Sequence, residues 1–230
     1  MSEWWTYRPE DFLLFSPRVY WRLFELHNEA LWPGQFVALA LLAVLAWLAA
    51  ARPSNHARLI AAGLAAAWAF TGWAFVGTRY ATINWAAEYL APLFAIEASL
   101  LVLAAVSSGL HGGRRADIAT VAGWLLVAVA AAQPLLAPWT GRSWSAAEVF
   151  AIAPDPTAIA TLGLLLVVRG PMAWVLVPIP LVWCALSALA VWTMGEPVAA
   201  SLPLAACLLP LTAVLVTVVR AVAAGRPPRP

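Results

Sequence analysis

Glu97 lies near the middle of YLAPLFAIEASLLVLAAV, residues 89–106, an otherwise uncharged and strongly apolar run. A carboxylate at the centre of a membrane helix costs on the order of 2.5–3.5 kcal/mol on insertion scales, so such an acid is expected to face a bundle interior and find a partner there. No arginine is near in sequence, and Arg79 would lie about 27 Å away along a continuous helix. Without a cation beside it, the acid is expected in its neutral form, donating a hydrogen bond. Thr71, Thr161, Ser187 and the indole N–H groups of Trp68 and Trp73 are candidate partners, with Gln133 closer to the end of its run. Pro92 precedes Glu97 and, in a continuous helix, deprives the Glu88 carbonyl of its usual donor. A kink with a free carbonyl beside a protonatable acid is the raw material of an ion or proton site. TRYATINW adds Arg79, Tyr80 and Asn84 at the mouth of the same run. The candidate substrate or proton site is thus Glu97, Arg79, Tyr80, Asn84, Glu88, Thr71 and Asp155. The other role open to Glu97 is that of a protonated acid tying two helices together.

Cys184 and Cys207 are the only cysteines and stand symmetrically about the MGEP turn, so an antiparallel helical hairpin would put them at one depth. Two thiols there could pass a soft ion such as Cu(I) or Hg(II), although no third ligand is evident; as small apolar fillers they would have no such role. His27, His56 and His111 belong to an amphipathic segment and two connectors, which does not offer histidines on facing helices at one depth. WAFTGW, residues 68–73, reads either as an aromatic cavity wall or as helix packing around Gly72. HExxH, P-loop, GxSxG and CxxC patterns are absent, so no catalytic residue and no cofactor are assigned, and the enzyme reading is lowered.

The elements that must hold these residues are membrane helices. Hydrophobic residues make up 63% of the 230-residue chain and charged ones 10%, against about 45–50% and about 25% for a soluble domain. All thirteen basic residues are arginines, scattered between apolar runs, and the formal charge is +2; nucleic acid is not an expected partner. The fold class is all-α membrane protein, with about seven transmembrane helices preceded by an N-terminal amphipathic interfacial helix. Spans are expected at 36–51, 59–77, 89–106, 118–137, 156–168, 172–193 and 199–219, each judged against the roughly 20 residues a crossing needs. Three regions follow: 1–33, an amphipathic interfacial segment; 34–223, the helical bundle; and 224–230, a Pro/Arg-rich tail.

Helix starts are signalled by Pro9 with Glu10 and Asp11, and again by Ser16 with Pro17. From Ser16, Tyr20, Leu23, Phe24, His27 and Leu31 share one face and Arg18, Arg22, Glu25 and Glu29 the other, with Trp21 and Trp32 as headgroup anchors, so the helix either senses lipid or lids the bundle at the same depth. The acidic start does not read as a signal peptide and is expected to stay in the mature chain. With an odd number of spans, Arg52, Arg58, Arg114, Arg115, Arg169, Arg220, Arg226 and Arg229 fall on one side, expected to be cytoplasmic, which puts the N-terminus outside. The fifth span is short, at about 20 Å. It follows WSAAEVFAIAPDPT, in which Pro154 and Pro156 interrupt the apolar run and Asp155 is placed to cap a helix. That segment reads either as a re-entrant, broken helix or as a short tilted one whose first turn reaches the headgroups.

FSPRVYWRLFELHNEALWP, TINWAAEYLAPLFAIEASLLVL and PDPTAIATLGLLL, in this order and spacing, resemble an uncharacterised family of bacterial multi-pass membrane proteins, a domain of unknown function. The resemblance implies a bacterial inner-membrane location and a similar helix count, and supplies no activity, substrate or catalytic residue.

Two functional readings emerge. One is a small permease or proton-coupled carrier for a small molecule or ion, with an outward vestibule leading to Glu97 and Pro92, Pro134, Pro178, Pro180 and Pro210 as gating points; it expects a polar cavity at Glu97. The other is a membrane scaffold or accessory subunit, which expects a closely packed Glu97 and an apolar stripe along Tyr20, Leu23 and Phe24 left open for a protein partner. Beyond the lipid bilayer, a second copy of the chain is a further candidate partner.

Overall fold

The computed structural model describes residues 15–107, 109–112 and 117–223, with side chains at 214, 215 and 217–223 excepted. The Pro9 helix start, Arg114 and Arg115, and the 224–230 tail lie outside the described residues, as does the side chain of Arg220. The elements are α1 (Pro17–Leu31), α2 (Gly34–Ala51), α3 (His56–Thr71), α4 (Ala87–Val106), β1 (His111–Gly112), α5 (Ile118–Ala132), α6 (Leu136–Trp139), α7 (Pro154–Val167), β2 (Val168–Arg169), α8 (Pro171–Leu176), α9 (Pro178–Thr193) and α10 (Pro197–Ala223).

Among the described residues five helical stretches are long and apolar enough to cross a membrane: Gly34–Ala51, His56–Thr82, Ala87–Val106, Ile118–Trp139 and Pro171–Thr193. Pro154–Val167 and Pro197–Ala213 are shorter apolar helices. Irregularities fall where backbone chemistry demands them. Pro134 sits in a 3-10 turn, Gln133–Leu135, that joins α5 to α6. Pro178, which has no N–H to offer the preceding turn, stands at the break between α8 and α9. Beyond Thr71 the helix widens into a π-helical turn, Gly72–Gly77. There Gly72 lets α4 approach, since a Cβ at Gly72 would lie 2.5 Å from the Phe94 Cβ.

α7 is the centre of the bundle. Residues 146–165 are buried without interruption, and α7 packs against α2, α3, α5, α9 and α10. Its closest neighbour is α5, where glycine meets glycine: a Cβ on Gly163 would stand 2.7 Å from the Gly123 carbonyl oxygen, and one on Gly123 2.6 Å from that of Gly163. Small residues let two backbones touch, the usual device for tight association between apolar helices. The far end of α7 is tied down by the antiparallel pairing of β1 with β2, His111 opposite Arg169, and by a bidentate ion pair from the Arg169 guanidinium to Asp117, which also caps α5 through the Thr120 N–H at 2.8 Å.

α1 lids the bundle, which leaves no free apolar stripe of the kind the scaffold reading expects. It starts at the Ser16 cap with Pro17 in its first turn, and its charged face is exposed as the periodicity implies. Tyr20, Leu23 and Phe24 are buried, however, at 6%, 9% and 2% exposure. Phe24 packs on Phe75, Tyr20 touches Phe15 and Tyr80, and Asn28 reaches into the strap before α7. Trp21, expected as a headgroup anchor, is buried with the Arg142 guanidinium 3.5 Å from its ring centroid; Trp32 is exposed. The stripe is used up inside the chain because α1 folds back over the segment that precedes the central helix.

Candidate functional site

Between Trp139 and α7 the chain does not cross as a helix. After a 3-10 turn at Trp144–Ala146 it continues as irregular buried backbone through 147–153 and begins α7 inside the protein. Irregular backbone must find partners for its N–H and C=O groups when it is buried. Asn28 Nδ2 donates to the carbonyls of Ser145 and Ala147, both at 2.7 Å, and Gln35 Nε2 donates to the Asn28 carbonyl at 2.8 Å. Ala151 takes φ +62°, a conformation that side chains with a Cβ rarely adopt. Thr157 clamps this turn: its Oγ1 accepts from the Ala151 N–H at 2.9 Å and donates to the Ala153 carbonyl at 2.7 Å. The first turn of α7 is therefore enclosed by protein. Ala153 occupies the cap position, and Asp155 sits two residues further on, inside the first turn, instead of capping.

Asp155 is 4% exposed and bonded through both oxygens. Trp183 Nε1 donates to Oδ1 at 2.8 Å and Ser187 Oγ to Oδ2 at 2.7 Å, both from α9. Its position in the first turn also sets a negative group against the partial positive charge of the helix N-terminus. Glu148, 5% exposed on the irregular strap, is hydrogen-bonded by Gln133, and the charges of Asp155 and Arg142 both act on it. Arg142 is half-buried over Trp21; its Nε donates to Thr140 Oγ1 at 2.9 Å, while Nη1 is buried with no hydrogen-bond partner among the described residues. Two carboxyl groups thus meet at the buried start of α7, and the Arg142 guanidinium acts on Glu148 and on Glu196.

Tyr20 roofs the cluster. Burial pushes its hydroxyl well above the ordinary phenol range, with the fields of Asp155 and Glu148 adding to the effect. His27, also on α1, is held down at about 4 by burial and by the charge of Arg79. A cavity of about 30 Å³ opens beside the cluster, lined by Tyr20, Phe75, Tyr80, Trp183 and Ser187 among others, which is room for about one water.

The residues singled out in the sequence are divided by this geometry. Asp155 is in the cluster, and Tyr80 joins the cavity wall with its hydroxyl accepting from Asn84 Nδ2 at 2.6 Å. Arg79 is half-buried close enough to act on His27, and Glu88 is exposed. Thr71 meets Thr157 at 3.5 Å, and Trp68 Nε1 donates to Thr161 Oγ1 at 2.8 Å. Those threonines, Trp68 and Ser187 are engaged with α7, and Trp73 is 70% exposed. Glu97 itself is 0% exposed, and both its oxygens lack a hydrogen-bond partner among the described residues. It lies one helical turn beyond Phe94, whose ring packs on Trp68 and edge-on against Trp183. Cys184 and Cys207 are brought near each other between α9 and α10, with the Cys207 Sγ donating to the Leu181 carbonyl one turn before Cys184.

Glu148 and Arg142 were not legible as site residues, because both fall in a connector between expected spans. The available signal was the pattern R-x5-E-x6-D, residues 142–155, whose two acids flank an apolar hexapeptide in a proline-broken segment.

A family model described as Family of unknown function (DUF6064) matches residues 17–224, so the chain belongs to that family. No curated protein and no solved structure matches it.

Proposed function

Since membership in a family of unknown function leaves activity to be read from the residues, we propose that this chain is a small proton-coupled carrier of the bacterial inner membrane. It would have seven crossings, the N-terminus outside and the C-terminus in the cytoplasm. Glu148 and Asp155 are its proton-binding pair, and Arg142 is the fixed countercharge. The observation that carries this reading is the convergence of two buried carboxyl groups on the buried start of a half-helix at the centre of the bundle. Interrupted helices of this kind are where membrane carriers place ion and substrate sites, because irregular backbone is tolerated only where protein or a cavity surrounds it.

The charge balance supplies the mechanism. Glu148 and Asp155 act on each other, and the Arg142 guanidinium faces Glu148 and Glu196, so the buried pair carries more negative charge than its surroundings balance and one shared proton lowers that cost. The water-sized cavity beside Ser187 provides an approach to Asp155. Substrate movement that separated α9 from α7 would remove the Trp183 and Ser187 donors from Asp155 and change the proton affinity of the pair, which is a coupling step. The orientation is supported by the grouping of Arg52, His56 and Gly112, with Arg169 opposite His111, at the far end of α7.

The scaffold reading loses its docking stripe to the interior of the chain but keeps its closely packed Glu97. The polar cavity that the carrier reading expects at Glu97 is not found there among the described residues: the cavities beside Tyr20 and Leu90 are not lined by Glu97. Glu97 belongs to the carrier as a buried acid on the cytoplasmic side of Phe94, not as the primary site. The test is charge displacement after a pH jump, with full-length protein reconstituted on a solid-supported membrane. Wild type should give a transient current, Asp155→Asn should abolish it, and Glu97→Met should leave it. Wild-type currents from Asp155→Asn would overturn the assignment.

A further inference from the structure

The cysteine pair between α9 and α10 is built in a way that selects one kind of ligand. Cys184 is fully buried and Cys207 half-buried on the facing helix. The Cys207 Sγ donates to the Leu181 carbonyl at 3.6 Å, one turn before Cys184, which brings it to the stretch of α9 that carries the other thiol. The two thiols are near enough to act on each other.

Asp155 is close enough for its charge to act on Cys184, but its oxygens are already taken by Trp183 and Ser187. No group of three or more His, Cys, Asp or Glu suited to a metal ion occurs among the described residues. An ion entering here meets two sulfurs and an apolar surround. Zinc, which asks for four ligands in its protein sites, is badly served by that set.

We propose that Cys184 and Cys207 form a two-coordinate dithiolate site for a soft divalent ion, Hg(II) being the one whose chemistry fits. Soft thiolate ligands select soft cations. A divalent ion bound by two thiolates is neutral overall, whereas Cu(I) in the same site would leave a net negative charge that burial penalises. Binding breaks two S–H bonds, forms two S–Hg bonds, releases two protons to the medium and displaces two of the ion's water or halide ligands. No electron is transferred and no oxidant is required. Entry is from the Cys207 side, where the thiol is accessible. The site does not depend on the proton-carrier reading, since neither thiol takes part in that cluster.

The experiment is a thiol titration of the full-length protein in detergent with mercuric chloride, counting free thiols with a chromogenic disulfide reagent. One equivalent of Hg(II) should remove both thiols together. The loaded protein should then resist 2-mercaptoethanol, and Cys184→Ser and Cys207→Ser should each lose Hg(II) at about 100-fold lower competitor, the advantage expected of two linked ligands. Zinc chloride at the same concentration should protect neither thiol. A requirement for two equivalents, one per thiol, would overturn the proposal on wild type alone, whatever the folding of the variants. Equal retention of Hg(II) by a single-cysteine variant and wild type would overturn it as well.

Discussion

Asp155 and Glu97 are both buried, at 4% and 0% exposure, and they are provided for in opposite ways. Asp155 stands in the first turn of α7, with an indole N–H on one oxygen, a serine hydroxyl on the other and a second carboxyl group nearby. Glu97 stands in the middle of α4 with two bare oxygens among the described residues. The difference is one of backbone. A helix that begins inside the protein leaves its first N–H groups unpaired and points a partial positive charge at its surroundings, so polar groups gather there. The middle of an unbroken helix has no spare backbone donor and presents only side chains. An acid in the first setting is stabilised by its neighbours; in the second it is tolerated.

Substitution should separate the two acids clearly. Asp155→Ala strands the Trp183 and Ser187 donors in the interior, and it should lower stability by about 3 kcal/mol, the cost of leaving two buried groups unsatisfied. Thermal unfolding of purified protein in detergent would register this as a fall of several degrees in Tm. A Tm within one degree of wild type would mean that the two hydrogen bonds contribute nothing, and the contrast with Glu97 would collapse.

The ion pair at the other end of α7 offers a reference for what a partly exposed acid contributes. The Arg169 guanidinium is the main cause holding the Asp117 carboxyl down at about 2, from 3.8. A carboxylate held low in the folded state stabilises it above the unfolded value and loses that contribution as pH falls through the folded one. Stability should therefore drop by about 1–2 kcal/mol, allowing for solvent screening, between about pH 4 and pH 2. Asp117→Asn should flatten that part of the Tm profile, whereas an unchanged slope would show that the ion pair is not what the acid limb reports.

Glu97→Met should have the smallest effect and the opposite sign. Replacing an unpartnered buried acid with an apolar chain of similar length removes a desolvation cost, so a gain of about 1 kcal/mol is expected in the same unfolding assay. A loss of 2 kcal/mol or more would show that Glu97 has a partner holding two elements together, and the two acids would no longer stand in contrast.

How much of this was legible can be said residue by residue. Ser16 and Pro17 announced the start of α1, and its charged face was read correctly from the 3.6 period. Its apolar face was open to lipid, a partner or the bundle itself, because periodicity tells which side of a helix avoids water and not what covers it. Asp155 was visible through the prolines around it. Glu148 was invisible, since seven irregular residues of the strap have no period to betray their burial.

The sequence by itself determined that this is a helical chain with apolar runs long enough to cross a membrane, where those runs begin and end, and that one segment is too short and too proline-rich to cross as the others do. Those properties follow from local composition and backbone chemistry, which act over a few residues. Tertiary structure decided that the short segment is the centre of the bundle, that α1 closes over it, and that Glu148 and Asp155 meet there while Glu97 has no hydrogen-bond partner among the described residues. Such facts depend on which surfaces touch across distances of more than a hundred residues, as Asn28 touches Ala147, and packing settles them through contacts such as Gly123 on Gly163 that no single stretch of chain encodes.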